Sequence, residues 1–415
     1  MSALQTIEDF DDPSFNPFLE DALVFGEHSD PYAKIAELRR AASVHPGEYR
    51  VMMGLYPDMT FPDNAAHFSV FGYDEVAQVL GDHQTFSNHS YTYNLGISFG
   101  RSISTMDAPE HPRYRRLFQK AFLPQTVAAW GDELVDPVVH DLMDKFVDRG
   151  EADLVQEFTL HYPFHIIYRQ LALPPEDVST FHKLAIAQTV VSVDVEHGTE
   201  ASRKLGSYFK RLVDERRQSP GDDLISSLAL AEVDGEHLPE EVLISFLRQL
   251  INAAGDTTYR ATSVLLTALL RHPEQLEAIR QDRSLIPQAI EEALRWDGPV
   301  LMQSRFATKA VTLGGVDIPE GSFIDVVAGS ANRDERKFPD PDRFDIFRKP
   351  QQRHFSFAFG PHVCIGQHLA RVEMTRALTA ILDKLPNLRL DPDKPAPEIR
   401  GTMMRVPHSI HVKFG

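Results

Sequence analysis

Cys364 is the single cysteine of a 415-residue chain. It stands in Phe357-Ala358-Phe359-Gly360-Pro361-His362-Val363-Cys364-Ile365-Gly366, directly ahead of a predicted helix from about Gly366 to Leu385. A thiolate just before a helix N-terminus gains from free backbone N–H groups and from the helix dipole. Gly360 and Gly366 let a flat ligand come close to the backbone. These are the needs of an anionic sulfur ligand to a planar metal cofactor. A lone free thiol more often packs as a small hydrophobe, so the loop by itself leaves both readings open.

Two other groups of residues have chemical spacing. Glu292 and Arg295 in Glu292-Ala293-Leu294-Arg295 are three apart, on one face of a predicted helix over Ser284–Trp296, and can pair. His111 and Arg115 in His111-Pro112-Arg113-Tyr114-Arg115 are four apart and share a helix face. Arg113, Arg116 and Lys120 lie in the same short stretch, a basic cluster in a chain of net charge −18. Each of these, taken alone, is what a solvated helix face also shows.

In combination they carry a resemblance. The segment around Cys364 resembles the haem-ligand loop of the cytochrome P450 family through Phe357, Gly360, His362, Cys364 and Gly366. Ala358 replaces the family's usual glycine, and Ala370-Arg371-Val372-Glu373 continues the match into the next helix. Glu292-Ala293-Leu294-Arg295 resembles the family's Glu-x-x-Arg and lies 69 residues before the cysteine, as the family expects. Arg343 in Pro341-Asp342-Arg343-Phe344 matches the third member of that structural network. The resemblance runs through nearly the whole chain, with its motifs in order.

Ala253-Ala254-Gly255-Asp256-Thr257-Thr258 resembles the family's oxygen-binding stretch, with Ala254 in place of the usual glycine. Small side chains at Ala253 and Ala254 leave room for dioxygen beside the helix. The Thr257 hydroxyl can hydrogen-bond dioxygen undergoing reduction, and Asp256 can feed protons through water. The resemblance further implies Cys364 as metal ligand, Gly366 and Ala253 against the haem b, and His111, Arg115, Arg305 and His362 as partners of its propionates. It places Tyr91, Leu95 and Phe99 in the roof of a substrate pocket, Val300, Leu301 and Met302 along one wall and Met403 near its end, with a further contribution from the lid segment Thr189–Val193. The basic cluster would face an acidic ferredoxin, complementary charge speeding the encounter.

The elements that must position these residues follow from hydrophobic spacing. Helices are predicted over Tyr73–Leu80, Pro124–Val147, Val155–Leu171, Pro174–Val193, Glu200–Gln218, Asp222–Glu232 and Pro239–Leu270. The last spans roughly 48 Å. It contains Gly255, which costs about 1 kcal/mol against alanine inside a helix and so needs a reason. His67–Phe71 and Met404–Phe414 read as strands, Ser87–Met106 as a long loop and Arg333–Pro350 as coil. Arg305–Val327 reads as β-rich with a hairpin at Gly314-Gly315. The expected fold is mainly α: one domain over residues 1–415, the P450 helical prism with small β-sheets.

Composition bounds the rest. With 42% hydrophobic and 25% charged residues the chain reads as soluble and globular. Its acidity argues against nucleic acid as partner. One cysteine permits no intramolecular disulfide and fits a reducing compartment. The acidic start, MSALQTIEDFDDPSFNPF, does not read as a signal peptide, and no apolar run reaches a membrane span. The expectation is a cytoplasmic monooxygenase that places one oxygen atom of O2 into a small hydrophobic substrate. Electrons would come from NAD(P)H through a reductase and a ferredoxin. A haem-thiolate sensor would share the cysteine but not need Asp256-Thr257, and would carry a signalling or DNA-binding module, which is not visible. A peroxide-driven peroxygenase would keep the fold and replace the acid–threonine pair.

Overall fold

Leu238-Pro239-Glu240-Glu241 starts a helix well: proline stands just before the first turn and two acids face its positive end. The computed structural model of the protein describes residues 25–174, 178–192, 194–233, 235–349 and 352–415. Four helices position the site: α1 (Glu110–Ala121), α2 (Glu240–Arg271), α3 (Ile286–Trp296) and α4 (Gln367–Lys384). The N-terminal stretch singled out above, residues 175–177 within the helix expected over Pro174–Val193, and Val193 lie outside the described residues.

Helix α2 runs 32 residues, and from Thr258 to Leu270 every residue is buried. A helix apolar nearly all round belongs in the middle of a large core. Two of its buried hydroxyls meet partners on neighbouring elements: Ser263 Oγ meets Thr159 Oγ1 at 2.7 Å, and Thr262 Oγ1 meets Tyr162 OH at 2.6 Å, while Thr267 Oγ1 has no partner among the described residues. Gly255 has its reason here. A Cβ at that position would lie 2.4 Å from the Phe164 ring, so glycine lets the helix Tyr162–Gln170 pack against α2. Phe118 of α1 stacks on Phe246 of α2 with centroids 3.7 Å apart.

Two expected continuous helices are broken. Pro124–Val147 divides into Pro124–Trp130, a π-turn over Gly131–Val135 and Asp136–Met143. Val155–Leu171 divides into a π-turn over Val155–Thr159 and Tyr162–Gln170. Each wide turn precedes a proline, Pro137 or Pro163, which has no N–H for the regular ladder. The loop Ser87–Met106 holds a 3₁₀ turn, Asn88–Thr92, and a short helix, Leu95–Phe99.

The β part is a five-stranded sheet of β1 (Val44–Pro46), β2 (His67–Val70), β3 (Phe86–Ser87), β4 (Gln303–Ala307) and β5 (Phe323–Val326), in the order β1-β2-β5-β4-β3. Only β2 and β5 are parallel, with Phe323 opposite His67. The Gly314-Gly315 hairpin forms between Val311–Leu313 and Val316–Ile318, with both glycines at positive φ as a two-residue turn requires. Among the described residues, no helix is long and apolar enough to cross a membrane.

The coil 333–350 is held by α3. Arg295 donates twice to Glu292, at 2.8 Å each, and to the carbonyls of Asn332, Pro341 and Arg343. The third member of this network is not Arg343. Its side chain is 66% exposed and, among the described residues, pairs only with Asp345, at 3.4 Å. Arg348 takes the place, its Nε donating to Glu292 Oε1 at 3.1 Å while its Nη atoms donate to the carbonyls of Pro339, Asp340 and Arg343. In an irregular coil no periodicity dictates which of two nearby arginines turns inward. Removing one partner of a buried charge network costs roughly 3–5 kcal/mol. Arg348→Ala is therefore expected to lower the melting temperature by several degrees, and Arg343→Ala to leave it unchanged. Thermal unfolding of the two variants beside the wild type checks this.

Candidate active site

Cys364 is enclosed by protein yet its surface is accessible. Both hold because it opens onto an interior cavity of about 350 Å³. Across the cavity stands α2. Ala253, Ala254 and Thr257 are accessible in the largely buried middle of this helix, and all three line the same space.

The sulfur is placed by its loop. Cys364 N–H donates to Phe357 O at 2.9 Å. The backbone amides of Gly366 and Gln367, at the start of α4, donate to the sulfur. Burial nevertheless pushes the thiol up, against the pull of these amides and of Arg115 and Arg371. The loop is tied to α3 through Arg371, which donates to Glu291 at 2.6 Å and lies over the Phe357 ring. Glu291 also meets His354 at 3.0 Å. It is partly buried, which alone would raise its carboxyl, but these two partners hold it at about 2. The sequence reading missed Glu291; its only signal is its place beside Glu292.

Gly360 has φ +74, and a Cβ there would lie 2.5 Å from the Leu80 carbonyl, so conformation and space both require glycine. Ala358 has φ +59, in the left-handed region that L-residues enter at a cost of roughly 1–2 kcal/mol. This is the physical reason for the glycine that the loop resemblance expects there.

A second cluster lies at the cavity edge. The His111 and His362 rings meet tilted, with centroids 3.9 Å apart. The Arg115 guanidinium donates to the Val363 carbonyl and Arg305 to Ser304 O at 2.8 Å. Burial, with neighbouring positive charge second, pushes His111 down to about 4 and His362 to about 2; burial also lowers Arg305 and Arg115. Among the described residues the only ion pair these four bases make is the long one from His362 to Asp107, 3.9 Å. His111 Nε2 is buried without a hydrogen-bond partner. Four bases, His111 and Arg305 buried and Arg115 and His362 partly so, short of negative charge beside a sulfur polarised by two amides and a helix face of small residues, fit a flat metal macrocycle bearing two carboxylates.

Other expectations meet a different geometry. Asp256 does not line the cavity. It lies on the flank of α2 in a buried ion pair with Arg260, 3.0 Å away one turn along. The Thr257 hydroxyl donates back to Ala253 O at 2.9 Å. Its oxygen therefore faces the cavity as an acceptor. Of the expected substrate residues Tyr91, Leu95 and Val300 line the cavity, while Phe99, Leu301, Met302 and Met403 do not. Phe99 is buried in the core. Leu301 packs on Gly329 and its N–H donates to Met403 O. Successive extended residues point to opposite sides, so Val300 and Leu301 cannot share a wall. Met302 packs in a separate apolar cluster, and Met403 Sδ accepts from Arg50 at 2.9 Å. Thr189 turns its hydroxyl to Ile186 O. The lining residues that the sequence reading missed include Asn88, Ile103, Ser104, Phe246, Gln249, Leu250 and Glu373. Burial pushes the Glu373 carboxyl well above its usual range.

A family model for cytochrome P450 matches residues 182–414. The chain is 33% identical over 392 residues to the cytochrome P450 monooxygenase PikC of Streptomyces venezuelae, covering 90% of this chain and 89% of that one. It is 32% identical to the 6-deoxyerythronolide B hydroxylase of Saccharopolyspora erythraea, covering 88% and 91%. Among solved structures, CYP109E1 of Bacillus megaterium in complex with testosterone superposes with a TM-score of 0.80 at 29% identity, covering 93% of this chain and 99% of that one. The chain belongs to the cytochrome P450 family. It is a monooxygenase of the bacterial type, and the cofactor of the family is haem, iron protoporphyrin IX.

The loop geometry predicts opposite outcomes for two substitutions. Ala358→Gly relieves the left-handed strain and, after the greater freedom of glycine in the unfolded chain, stabilises by about 1 kcal/mol, or about 1 °C for a chain this long. Gly360→Ala adds strain and a clash and costs about 3 kcal/mol. Melting of the haem-loaded proteins by calorimetry measures both.

Proposed function

We propose that this protein inserts one oxygen atom of O2 into a small hydrophobic substrate, by hydroxylation or epoxidation, with Cys364 as the sulfur ligand of the haem iron. The observation that carries the reading is that Cys364 and Thr257, from different elements, open onto one cavity. Haem, when bound, supplies the redox chemistry of oxygen reduction.

The chain's own residues have separable tasks. The Gly366 and Gln367 amides stabilise negative charge on the Cys364 sulfur. His111, Arg115, Arg305 and His362 hold the propionates, whose charge makes up the deficit of anions around them. Ala253 and Ala254 keep the α2 wall low. Thr257, its proton occupied by Ala253 O, holds a donor such as water by its free lone pair. Asp256 carries protons toward the cavity only when its bond to Arg260 opens. Apolar walls from Leu95, Ile103, Phe246 and Leu250 hold the substrate and exclude water. The testosterone complex of CYP109E1 supports a hydrophobic substrate class.

Electrons come from NAD(P)H through a reductase and a ferredoxin, in the cytoplasm. The docking face in this reading is the outer side of α1. Arg116 and Lys120 are exposed there, and Arg113 is half-buried near Glu236, 3.7 Å away.

The thiolate assignment is tested on the reduced protein with CO, which is expected to show the far red-shifted Soret band of sulfur ligation. Cys364→Ser removes the only thiol and should abolish that band; a variant that keeps it ends the assignment.

The acceptor role of Thr257 makes a separate prediction. Thr257→Ala should still load haem and accept the first electron, and should keep consuming NAD(P)H. Much of that flux, about half or more, should emerge as hydrogen peroxide instead of product. The measurement is product formed per NAD(P)H consumed, with peroxide titrated alongside. Wild-type coupling in the variant would remove Thr257 from the mechanism and leave the haem-thiolate reading standing.

A further inference from the structure

A hydrogen-bonded polar pair sits among apolar side chains on one stretch of the cavity wall. Gln249 and Ser104 both line it. Their neighbours Ile103, Phe246 and Leu250 are buried and apolar. Gln249 Nε2 donates to Ser104 Oγ at 2.6 Å. Ser104 is held from behind, where Asn88 Nδ2 donates to its carbonyl at 2.9 Å. The pair is thus anchored on two elements, α2 and the segment ahead of α1.

Its hydrogen-bonding capacity is not used up. A glutamine amide has an acceptor oxygen as well as its N–H groups, and a hydroxyl can donate as well as accept. With Nε2 donating to Ser104 Oγ, the serine proton and Gln249 Oε1 are both left over. Turning the amide over changes nothing essential: serine then donates to Oε1, leaving an amide N–H and the serine lone pair. In either orientation one donor and one acceptor face the cavity side by side. Among the described residues Gln249 Oε1 has no partner and is not a buried unpartnered atom, so it is accessible, and both residues are partly exposed where they line the cavity.

A polar pair in an apolar pocket disfavours a pure hydrocarbon, because the pair would lose water and gain nothing. It favours a ligand group that both donates and accepts. An alcohol does both with one atom, in the reach of two adjacent side chains. A carboxylate would accept twice and leave the acceptor facing a negative charge.

Gln249 also sets a distance. It precedes Thr257 by eight residues on the same continuous helix. That is about 12 Å of helical rise.

We propose that the substrate is a hydrophobic alcohol whose hydroxyl is bound by Gln249 and Ser104, so that its remote end lies beside Thr257, about 12 Å along α2. The inference rests on the monooxygenase reading of the cavity and adds the substrate's polar group and its orientation. Gln249 and Ser104 act here as binding residues and take no part in oxygen chemistry.

The test uses the haem-loaded full chain and two probes, decanol and decyl methyl ether, which differ in whether the oxygen can donate. Apparent Kd is read from the low-to-high-spin change on titration. The wild type is expected to bind decanol about fivefold tighter than the ether, the effect of one net hydrogen bond. Gln249→Leu should bring the two probes to parity by weakening decanol alone, and Ser104→Ala should narrow the gap in the same direction. A wild type that does not prefer decanol, or does not respond to it, overturns the proposal; so does an undiminished preference in both variants. The CO band of each reduced protein is recorded beside the titrations. Its absence from the wild type would defeat the haem-thiolate reading, whereas a normal band with no preference for decanol defeats this inference alone.

Discussion

A sulfur atom has to be kept at the wall of a cavity, polarised toward negative charge, on a loop that by itself has no regular structure. Much of the described architecture serves that constraint. The loop is fastened at its far end by α4, whose first amides reach Cys364. It is fastened along its length by Arg371, which joins Glu291 of α3 and covers Phe357. The preceding coil is fastened by Glu292, Arg295 and Arg348. Two adjacent glutamates on α3 thus hold two successive stretches of irregular chain. Charge networks of this kind add little net stability against an apolar core of equal volume, but they are costly to break. Their value here is positional, since a coil has no periodic face to bury.

The opposite wall solves a different problem. A helix crossing the core must be apolar on all sides, yet one stretch of α2 must leave space. The chain meets this with Ala253 and Ala254 on the cavity side and Gly255 on the reverse, where Phe164 needs the room. Small residues in succession therefore have two distinct causes. Asp256 and Thr257 divide in the same way. One turns to the flank and pairs with Arg260, and the other faces the cavity with its proton returned to the backbone. Proton supply and oxygen contact are separated by about 100° of helix rotation.

Electrostatics links the two walls. A chain of net charge −18 assembles four buried or partly buried bases at one edge of the cavity, and among the described residues their only ion pair is the long one to Asp107. Burying charge without compensation is expensive, so the cluster makes physical sense with a dianionic cofactor in place. The depressed histidines His111 and His362 express the same cost.

The sequence by itself determined whatever depends on neighbours along the chain. Helix α2 was legible over almost its full length because a 32-residue apolar pattern admits no other regular structure, and the Gly314-Gly315 turn because positive φ at two positions calls for glycine. The Cys364 loop was legible as a motif, since glycine spacing, the cysteine and the following helix lie within one short segment. Side-chain direction was not legible wherever two candidates stood close together. Arg348 displaced Arg343 in the network, Val300 reached the cavity while Leu301 turned away, and Asp256 left it to Thr257. Phe99, Met302 and Met403 were assigned by position and went to other packing. The Gln249–Ser104 pair joins residues 145 apart and had no local signal. Which residues meet across such separations is decided by the packing of helices against one another, and that packing depends on the whole core at once.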